Sequence, residues 1–426
     1  MRYDETLAYL VGLEATRGWD LKLERVRAAL LALGSPERAY PSVLIAGTNG
    51  KGSTAAMVHA VLVAAGHRVG LYTSPHLVNF TERIRIGHAE IDRAAVVQGV
   101  QSIRARVDVE ASGLTFFEVT TLLALLAFAN AQVEVAVLEV GLGGRLDATN
   151  VVEPIASAVT SIGFDHEEYL GDSLAAIARE KAGVMRRGRV TVLGAGLEPP
   201  ARAALLDEAR DRGALLSEAS SECRDTLALG GGHMRRNAAV ACGLLEAMGA
   251  AEPRLQVDPA SVSRGLRNVR WPGRLAVVRE APRVVIDGAH NVEGAIALRD
   301  ALPDLVGPGP LRLLFSALRD KHWREIAAVL APHATEIVLT EIGGKRGLTA
   351  GEIAAAFAGR APRIIVEPAR ALARLIDEDR TTPILVTGSL FLVGMIYAEL
   401  MRQSGARSVY DLGDVAGLGL AGEGGA

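Results

Sequence analysis

The chain has 426 residues, a length typical of about two to three domains, which is sufficient for sizeable hydrophobic cores. Its hydrophobic content of 49% and charged content of 22% are those of an ordinary globular protein. A formal net charge of −3 provides no basic field of the kind that nucleic-acid binding requires, so we expect no nucleic-acid partner.

The N-terminal residues 1–5 include charged side chains and are not followed by the apolar segment of a secretory signal. Apolar runs such as Leu122–Ala129 are far shorter than the roughly 20 residues of a membrane span. The two cysteines, Cys223 in a polar loop and Cys242 in an Ala-rich helix, support neither a disulfide framework nor a cysteine-based metal site. We therefore expect a cytoplasmic protein with no membrane partner.

From about Val43 onward, short apolar runs alternate with longer segments of helical period. Helices are predicted at Thr54–Ala65 and Phe117–Ala129. Buried strands are predicted at Val43–Ala46, Val135–Leu138, Ile155–Thr160 and Val190–Leu193. Strands that alternate with helices pair in parallel through helical crossovers, which predicts an α/β doubly wound sheet.

A second alternating series begins near Val284, after Pro272-Gly273 interrupts regular structure. Its predicted strands are Val284–Ile286, Arg312–Phe315, Glu336–Thr340, Arg363–Val366 and Ile384–Thr387. We place a domain boundary at about residue 275. The predicted architecture is thus a parallel-sheet domain, residues 1–275, followed by a smaller Rossmann-like α/β domain, residues 276–426. The Gly/Ala-rich end from about Ala416 is expected to be frayed.

The sharpest local signal is the segment GTNGKGST, Gly47–Thr54, between a predicted strand and a predicted helix. Glycines let successive N–H groups face an anion, the helix N-terminus adds positive potential, and Lys51 adds a full charge. The segment is not the standard P-loop string, because Gly52 separates Lys51 from Ser53. A phosphate-binding loop is favoured over a Gly-rich turn capped by Ser53.

Polar residues follow two further predicted strands. Glu139 ends the run Val135–Leu138, and Asp165-His166 follow the next strand along the chain. Ligands bind at the carboxyl edge of open α/β sheets, and Mg²⁺ prefers oxygen ligands. Glu139 is therefore either a metal ligand or a surface residue beside a flexible loop, and His166 is either functional or structural. Glu180-Lys181 on a helix could be no more than an exposed ion pair.

In the second predicted domain, Asp287-Gly288-Ala289-His290-Asn291 follows the strand Val284–Ile286. Three polar side chains at a strand-to-helix turn indicate a loop that faces a ligand. An Asx-type turn with a helix cap is the alternative.

Together these motifs resemble the folylpolyglutamate synthase/dihydrofolate synthase family of the Mur ligases. The resemblance covers roughly residues 20 to 396. GTNGK is shared across Mur ligases, whereas TSPH, GLGGRLDATN and DGAHN together are typical of the folate branch. The matching motifs, in chain order, are GTNGKGS, YTSPH (Tyr72–His76), EVGLGGRLDATN, the DH pair, EKAG, WPGR, DGAHN and TGSLFLVG (Thr387–Gly394).

The resemblance implies a ligase in which ATP phosphorylates a carboxylate of a pterin substrate and the amine of glutamate attacks the acyl phosphate. It implies Mg²⁺, with two ions expected, held by Ser74, Glu139 and His166. Lys181 matches a lysine that is carbamylated in the family. The implied ATP-binding residues are Asn49, Gly50, Lys51, Gly52, Ser53, Asn237, Arg274 and Asp287.

The same resemblance implies sites for dihydropteroate or folate and for L-glutamate, and a monomeric enzyme. His290 and Ser389 would hold the incoming glutamate, and Lys51, Lys181 and His290 would serve in catalysis. Two alternatives remain open at this point: a Mur-type ligase of a cell-wall precursor, and an ATP-dependent switch that does not ligate. The implied pterin-site residues are Leu23, Glu24, Arg25, Thr115, Phe116, Phe117, Glu118, Leu146, Asp147 and Ala148.

Overall fold

The computed structural model of the chain describes residues 1–17, 22–307, 309–357 and 359–412. The chain divides into two compact units. Unit 1 comprises residues 1–76, 80–228 and 235–269, and unit 2 comprises residues 77–79, 229–234 and 270 onward. The assignment of an ATP- and pterin-binding role to residues 1–275 and a glutamate-ligase role to residues 276–426 stays a prediction. The tail expected to fray from about Ala416 lies outside the described residues.

Unit 1 contains an eight-stranded sheet in the order β4-β3-β2-β5-β1-β6-β7-β8. Six of these strands, from β2 to β8 in that order, run parallel, and β3 and β4 extend the β2 edge in antiparallel orientation. The strands are β1 Ser42–Ala46, β2 Val69–Tyr72, β3 Ile84–Ile86, β4 Ala89–Glu90, β5 Val135–Glu139, β6 Ala156–Val159, β7 Val190–Leu193 and β8 Leu215–Glu218.

Helices pack against this sheet. Every residue of the central strands β1 and β5 is buried, as expected for parallel strands covered on both faces. The helix α10 begins in the segment assigned to unit 2 and continues into unit 1. The helices are α1 Tyr3–Arg17, α2 Leu23–Leu33, α3 Lys51–Ala64, α4 Arg93–Arg106, α5 Val109–Ser112, α6 Phe116–Asn130, α7 Glu167–Leu170, α8 Leu174–Lys181, α9 Pro199–Arg212, α10 Gly232–Ala251 and α11 Pro259–Asn268.

Unit 2 contains a six-stranded sheet in the order β13-β12-β11-β14-β10-β9, in which only β9 is antiparallel to its neighbour. Its strands are β9 Ala276–Glu280, β10 Arg283–Ile286, β11 Leu311–Phe315, β12 Ala334–Leu339, β13 Arg363–Ile364 and β14 Ile384–Thr387. Its helices are α12 Val292–Val306, α13 Trp323–Leu330, α14 Ala350–Ala354, α15 Pro368–Glu378 and α16 Leu390–Ser404.

The predicted α/β class with largely parallel sheets is confirmed. The sequence analysis did not include β2, the antiparallel strands β3, β4 and β9, or the edge strand β8. Apart from β2, whose four residues are buried, these strands have only two or three residues or are partly exposed, so they lack the apolar runs by which the central strands were recognised. Among the helices of the described residues, none combines the length and the apolar composition needed to cross a bilayer.

Candidate active site

A glycine-rich loop, residues 47–50, joins β1 to α3 at the carboxyl edge of the first sheet. Gly47 and Gly50 have φ angles of 147° and 86°, which side-chain-bearing residues rarely adopt. A Cβ on Gly47 would collide with Thr160 Oγ1, and one on Gly50 would collide with Asn237 Oδ1. Both positions therefore require glycine, and Asn237 packs directly against the loop.

The segment after β6 holds this loop in place. Asn49 N donates to Ser161 Oγ at 2.9 Å, and Thr160 Oγ1 donates to Asn49 O at 2.6 Å. Thr48 Oγ1 bonds both the carbonyl and the N–H of Gly163 at 3.0 Å. The sequence analysis assigned no role to either threonine. Thr48 belongs to the GTNGKGST segment, and Thr160 immediately precedes the segment that ends in Asp165-His166.

Two lysines converge on the loop. Lys51 Nζ donates to Gly47 O at 3.0 Å and to Thr48 O at 3.1 Å. Lys181 Nζ, from the end of α8, donates to the same Gly47 oxygen at 3.0 Å. Lys181 is only 4% exposed, so the alternative of an exposed ion pair is wrong for this residue. The arrangement places two ammonium groups beside a loop whose shape suits an anion.

Burial, followed by repulsion from Lys51, lowers the pKa of Lys181 to about 7. The carboxylates of Asp165 and Asp147 oppose that shift. The lowered pKa makes the uncharged, nucleophilic form of the Lys181 amine more accessible near neutral pH than it is for an exposed lysine. Shifts of this size in a lysine that also lies beside a glycine-rich strand-to-helix loop are typical of functional sites.

Two of the predicted metal ligands lie at the carboxyl ends of neighbouring parallel strands: Glu139 ends β5, and Ser74 follows β2. Glu139 is the last residue of β5 and is 5% exposed, and its Oε2 accepts a hydrogen bond from Ser74 N at 3.0 Å. Ile45 of β1 pairs with Glu139, so this carboxylate belongs to the strand beside the phosphate loop. A buried carboxylate next to a hydroxyl residue is a donor set that suits Mg²⁺.

The third predicted ligand, His166, follows β6, two strands from β5 in the sheet. Its φ of 54° is left-handed, and its Nε2 lies 3.7 Å from Asp165 Oδ1. Within the described residues, no group of three or more His, Cys, Asp or Glu side chains is arranged to hold a metal. Of the three predicted ligands, only Glu139 and His166 are of those residue types, and Ser74 offers a hydroxyl.

The loop of residues 141–150 crosses the end of α8 and packs closely on it. A Cβ on Gly144 would lie 2.8 Å from Lys181 O, and Arg145 N donates to Glu180 O at 2.9 Å. Asn150 Nδ2 donates to the carbonyls of Arg145 and Gly183 at 3.1 and 3.0 Å. The loop therefore fixes the backbone from which the Lys181 side chain extends.

Asp147, a predicted pterin-site residue, is fully buried inside this loop. Its carboxylate accepts hydrogen bonds from Thr149 N and Oγ1 at 2.9 and 2.6 Å and from Leu142 N at 2.8 Å. Burial raises the pKa of Asp147, and these hydrogen bonds oppose the rise. The contacts show that the carboxylate stabilises the loop. The neighbouring Leu146 is half-buried and Ala148 is buried.

The other predicted pterin-site residues lie on α2 and at the start of α6, which pack together and against the turn Ala148–Val151. Arg25 Nε donates to both carboxylate oxygens of Glu118 at 2.8 Å, and both side chains are largely buried. Glu118 also completes a capping box with Thr115. Phe116 and Leu23 are buried, Phe117 is half-buried, and Glu24 is exposed.

In unit 2, the predicted residues meet at the carboxyl edge of neighbouring strands β10 and β14. Asp287 accepts from Leu275 N at 2.9 Å and from Ala289 N at 2.8 Å. A Cβ on Gly288 would lie 3.2 Å from Arg274 Nη1, so that guanidinium lies beside the same turn. His290 Nδ1 bonds Gly288 O at 2.8 Å, and Ser389 caps α16 by accepting from Phe391 N.

One further residue that sequence reasoning missed is Arg186. Its guanidinium donates to Asn150 Oδ1 at 2.8 Å, to Val152 O at 3.0 Å and to Gly183 O at 3.1 Å. It thereby joins the 141–150 loop to the segment that follows Lys181. No motif signalled this role, because an arginine after a helix is ordinarily a solvated residue.

Comparison with known proteins places these features in a family. The Mur ligase middle domain matches residues 45–193, and the Mur ligase glutamate ligase domain matches residues 273–390. The Escherichia coli dihydrofolate synthase/folylpolyglutamate synthase is 36% identical over 364 residues, with 82% of this chain and 83% of that protein covered. A probable bifunctional folylpolyglutamate synthase/dihydropteroate synthase of Haloferax volcanii is also 36% identical, and the chain spans 50% of its length.

Solved structures agree with this. E. coli FolC in complex with DHPP and ADP has a TM-score of 0.85 and 32% identity, with 95% of this chain and 98% of that chain covered. A bifunctional folylpolyglutamate synthase/dihydrofolate synthase with Mn, AMPPNP and L-glutamate bound has a TM-score of 0.82 and 33% identity, with 94% and 98% covered. The chain therefore belongs to the folylpolyglutamate synthase/dihydrofolate synthase family, ATP-dependent ligases of the Mur ligase group.

Proposed function

We propose that the protein joins L-glutamate to dihydropteroate, to a reduced folate, or to both, through an acyl phosphate formed with ATP. The observation that carries this proposal is the convergence of Lys51 and Lys181 on Gly47 O, beside the strand that ends in Glu139. A carboxylate and a triphosphate repel each other, and the Lys51 ammonium together with a metal held at Glu139 would supply the positive charge needed to bring them together.

In unit 1, the N–H groups of the loop and the charge of Lys51 would hold the phosphates, with Asn237 packed against Gly50. The predicted set Asn49, Gly50, Lys51, Gly52 and Ser53 forms one continuous segment at the start of α3. Arg274 and Asp287 lie at one turn of unit 2 and are proposed as further nucleotide ligands. Bound ATP supplies the phosphoryl group that converts a carboxylate oxygen into a leaving group.

Glu139 and Ser74 fit Mg²⁺ by their oxygen donors and by the hydrogen bond that joins them at neighbouring strand ends, and His166 is proposed as a third ligand. The relative solved with AMPPNP and Mn supports a divalent ion with the nucleotide. Two ions per site are our proposal. Their role is to neutralise phosphate charge during transfer.

We propose that Lys181 is carbamylated. A carbamate forms when an uncharged amine adds to carbon dioxide and releases one proton, and burial favours that uncharged amine by lowering the pKa of Lys181 to about 7. The modification would replace a buried cation, which repels Lys51, with an anion that attracts it and can bind a second Mg²⁺. The loop of residues 141–150 and Asn150 hold the backbone at that position.

For the acceptor, we propose a pterin site formed by α2, the start of α6 and the turn after Asp147, and E. coli FolC solved with DHPP supports a substrate of this class. Because the side chains of Arg25, Glu118 and Asp147 are engaged with one another or with their own loops, they would shape this site. His290 and Ser389, at neighbouring strand ends of unit 2, are proposed for the incoming glutamate.

The relatives support the folate activity over a cell-wall ligase and over a non-ligating switch, because proteins named as folate ligases match most of this chain. A cytoplasmic, monomeric enzyme remains our proposal, based on composition for location and on family resemblance for oligomeric state.

A direct test is the release of ADP by purified enzyme supplied with Mg–ATP, an acceptor and L-glutamate, each omitted in turn. A ligase should release ADP in step with product and should be nearly silent when the acceptor or glutamate is absent. Steady ADP release that is unaffected by either substrate would support the switch and contradict the proposal.

A further inference from the structure

The histidine that ends the segment Tyr72–His76, to which the sequence analysis assigned no role, lies in a network of aromatic rings and one guanidinium. Arg83 Nε donates to His76 Nδ1 at 2.7 Å. The His76 ring meets the Phe80 ring edge-on, with 6.2 Å between ring centres, and Phe80 meets Phe116 in the same way at 6.3 Å. The Arg83 guanidinium lies 5.1 Å from the centre of the Phe116 ring. His76 is thereby joined to a predicted pterin-site residue at the start of α6.

The same histidine is two residues from the metal side of the candidate site. Ser74, a predicted metal ligand, donates its backbone N–H to Glu139 Oε2 at 3.0 Å. Thr73 N donates to Arg83 O at 2.9 Å, so the segment that carries Ser74 and His76 is fixed to the turn that supplies the guanidinium. A substrate that extends from the pterin site to the metal site would therefore run beside this segment.

Arg83 also determines which ring nitrogen of His76 carries the hydrogen. A guanidinium has only N–H donors, so Nδ1 accepts through its lone pair and carries no hydrogen. The ring is therefore the neutral tautomer with its hydrogen on Nε2. Among the described residues, the ring makes no other hydrogen bond. The half-buried ring thus offers one N–H donor, and the bond to its other nitrogen sets its orientation.

We propose that His76 Nε2–H donates a hydrogen bond to an oxygen of the acceptor's reacting carboxylate, the oxygen that is not phosphorylated. This inference rests on the proposed function, because it requires an acceptor that reaches from the pterin site to the metal.

The hydrogen bond would act in the step that forms the amide. The amine nitrogen of glutamate forms a bond to the carbon of the acyl phosphate, and the C=O electron pair moves onto the oxygen. The C–O bond to phosphate then breaks, the pair on the oxygen restores C=O, and the nitrogen loses a proton to solvent. An oriented donor binds this oxygen more strongly when it carries negative charge, which lowers the barrier to the step.

Two substitutions separate contact with the substrate from support of Arg83. In His76→Gln, the side-chain amide can place an N–H near the position of Nε2, but nothing replaces Nδ1. In His76→Asn, the shorter amide can replace Nδ1 as the acceptor for Arg83, but no N–H reaches the position of Nε2. We expect kcat for glutamate incorporation to fall roughly 10²–10³-fold in His76→Asn and much less in His76→Gln, with an unchanged KM for ATP in both.

The order of the two variants decides the question, with activity expressed per folded enzyme from parallel urea unfolding. A histidine that only holds Arg83 predicts the opposite order, so any result in which His76→Gln is not the more active variant would overturn the inference. Wild-type enzyme that incorporates no glutamate into dihydropteroate or tetrahydrofolate would refute the proposed function itself, so the two failures are distinguishable.

A measurement on the wild-type enzyme keeps the inference testable if a variant does not fold. Nitrogen NMR of enzyme labelled at histidine should show His76 with hydrogen on Nε2 alone, and this N–H signal should shift when the acceptor binds together with AMPPNP. A signal that does not change on binding would contradict the proposed contact.

Discussion

Lys51 and Lys181 donate hydrogen bonds to the same acceptor, Gly47 O, at 3.0 Å each. One lysine begins the helix that follows the phosphate loop, and the other reaches the loop from the end of a distant helix. Two cations that share one carbonyl repel each other, and burial adds to the cost of the second charge. The carbamate proposed for Lys181 would relieve both costs, because it replaces the second cation with an anion beside Lys51. We therefore regard this pair as the centre of the site.

Replacing Lys51 by alanine should remove most of the activity. The loop would lose its nearest fully charged group, and loss of one preorganised donor to a transferring group typically lowers turnover by roughly 10²–10³-fold. Steady-state kinetics of Lys51→Ala and of Arg210→Ala, which removes an exposed cation from α9, would separate a site effect from a change in net charge. Activity near the wild-type value in Lys51→Ala would refute the phosphate assignment.

Replacing Lys181 by methionine should stabilise the protein more at pH 6 than at pH 10. The pKa of Lys181 is about 7 in the folded protein and 10.5 in the reference state. The cost of the buried charge is therefore fully present below pH 7 and is lost as the pH rises toward 10.5. At about 1.4 kcal/mol per pKa unit, the gain in unfolding free energy of Lys181→Met over wild type should be larger at pH 6 than at pH 10 by on the order of a few kcal/mol.

Urea unfolding of wild type and Lys181→Met across this pH range, in buffer depleted of carbon dioxide, measures the difference in unfolding free energy between the two proteins. Added bicarbonate should make this difference less dependent on pH, because a carbamate is no longer a buried cation. A constant difference between the two proteins at every pH would contradict the lowered pKa.

Replacing Gly50 by alanine should weaken ATP binding, and Gly66→Ala provides the matched control. Both glycines have positive φ, so both variants should lose roughly 1–2 kcal/mol of stability through backbone strain. Only at Gly50 does the added Cβ collide with Asn237, whereas nothing lies within 4 Å at Gly66. The KM for ATP should rise in Gly50→Ala alone, and an equal KM in the two variants would argue against the proposed role of Asn237.

The Arg25–Glu118 pair is predicted to be a structural element of the pterin site. Arg25→Met would leave a largely buried carboxylate without its cation, a change that typically costs about 3–5 kcal/mol. The exposed pair Arg202–Glu218 is the control, and Arg202→Met should cost no more than about 1 kcal/mol. Denaturant unfolding compares them, and similar losses of stability in the two variants would mean that the Arg25 pair contributes no more than a surface ion pair.

Much of the fold was predictable because its central strands are continuous apolar runs. The predicted strand Val190–Leu193 matches β7, and Val43–Ala46 differs from β1 by one residue. The two-residue antiparallel strand Ala89–Glu90 was missed because it has no apolar run. An edge strand is stabilised by pairing with a neighbouring strand, and the local sequence of the edge strand does not indicate that neighbour.

The sequence motifs named the residues of the candidate site, but the contacts among these residues could not be predicted. The motifs identified Lys51 and Lys181, yet nothing in their spacing indicates that both reach Gly47 O. Likewise, Glu118 and Asp147 were expected to face a ligand, and the structure engages their carboxylates with Arg25 and with Thr149. Polar partners brought together by tertiary folding follow from the packing of elements far apart in the chain.

The central claim is tested most directly by ATP-dependent incorporation of labelled L-glutamate, measured separately with dihydropteroate and with tetrahydrofolate as the acceptor. We predict incorporation that requires Mg–ATP with at least one acceptor, and that is lost in Lys51→Ala. Incorporation with both acceptors would establish both activities in one enzyme. Binding of ATP without incorporation into either acceptor would contradict the assignment as a folate ligase.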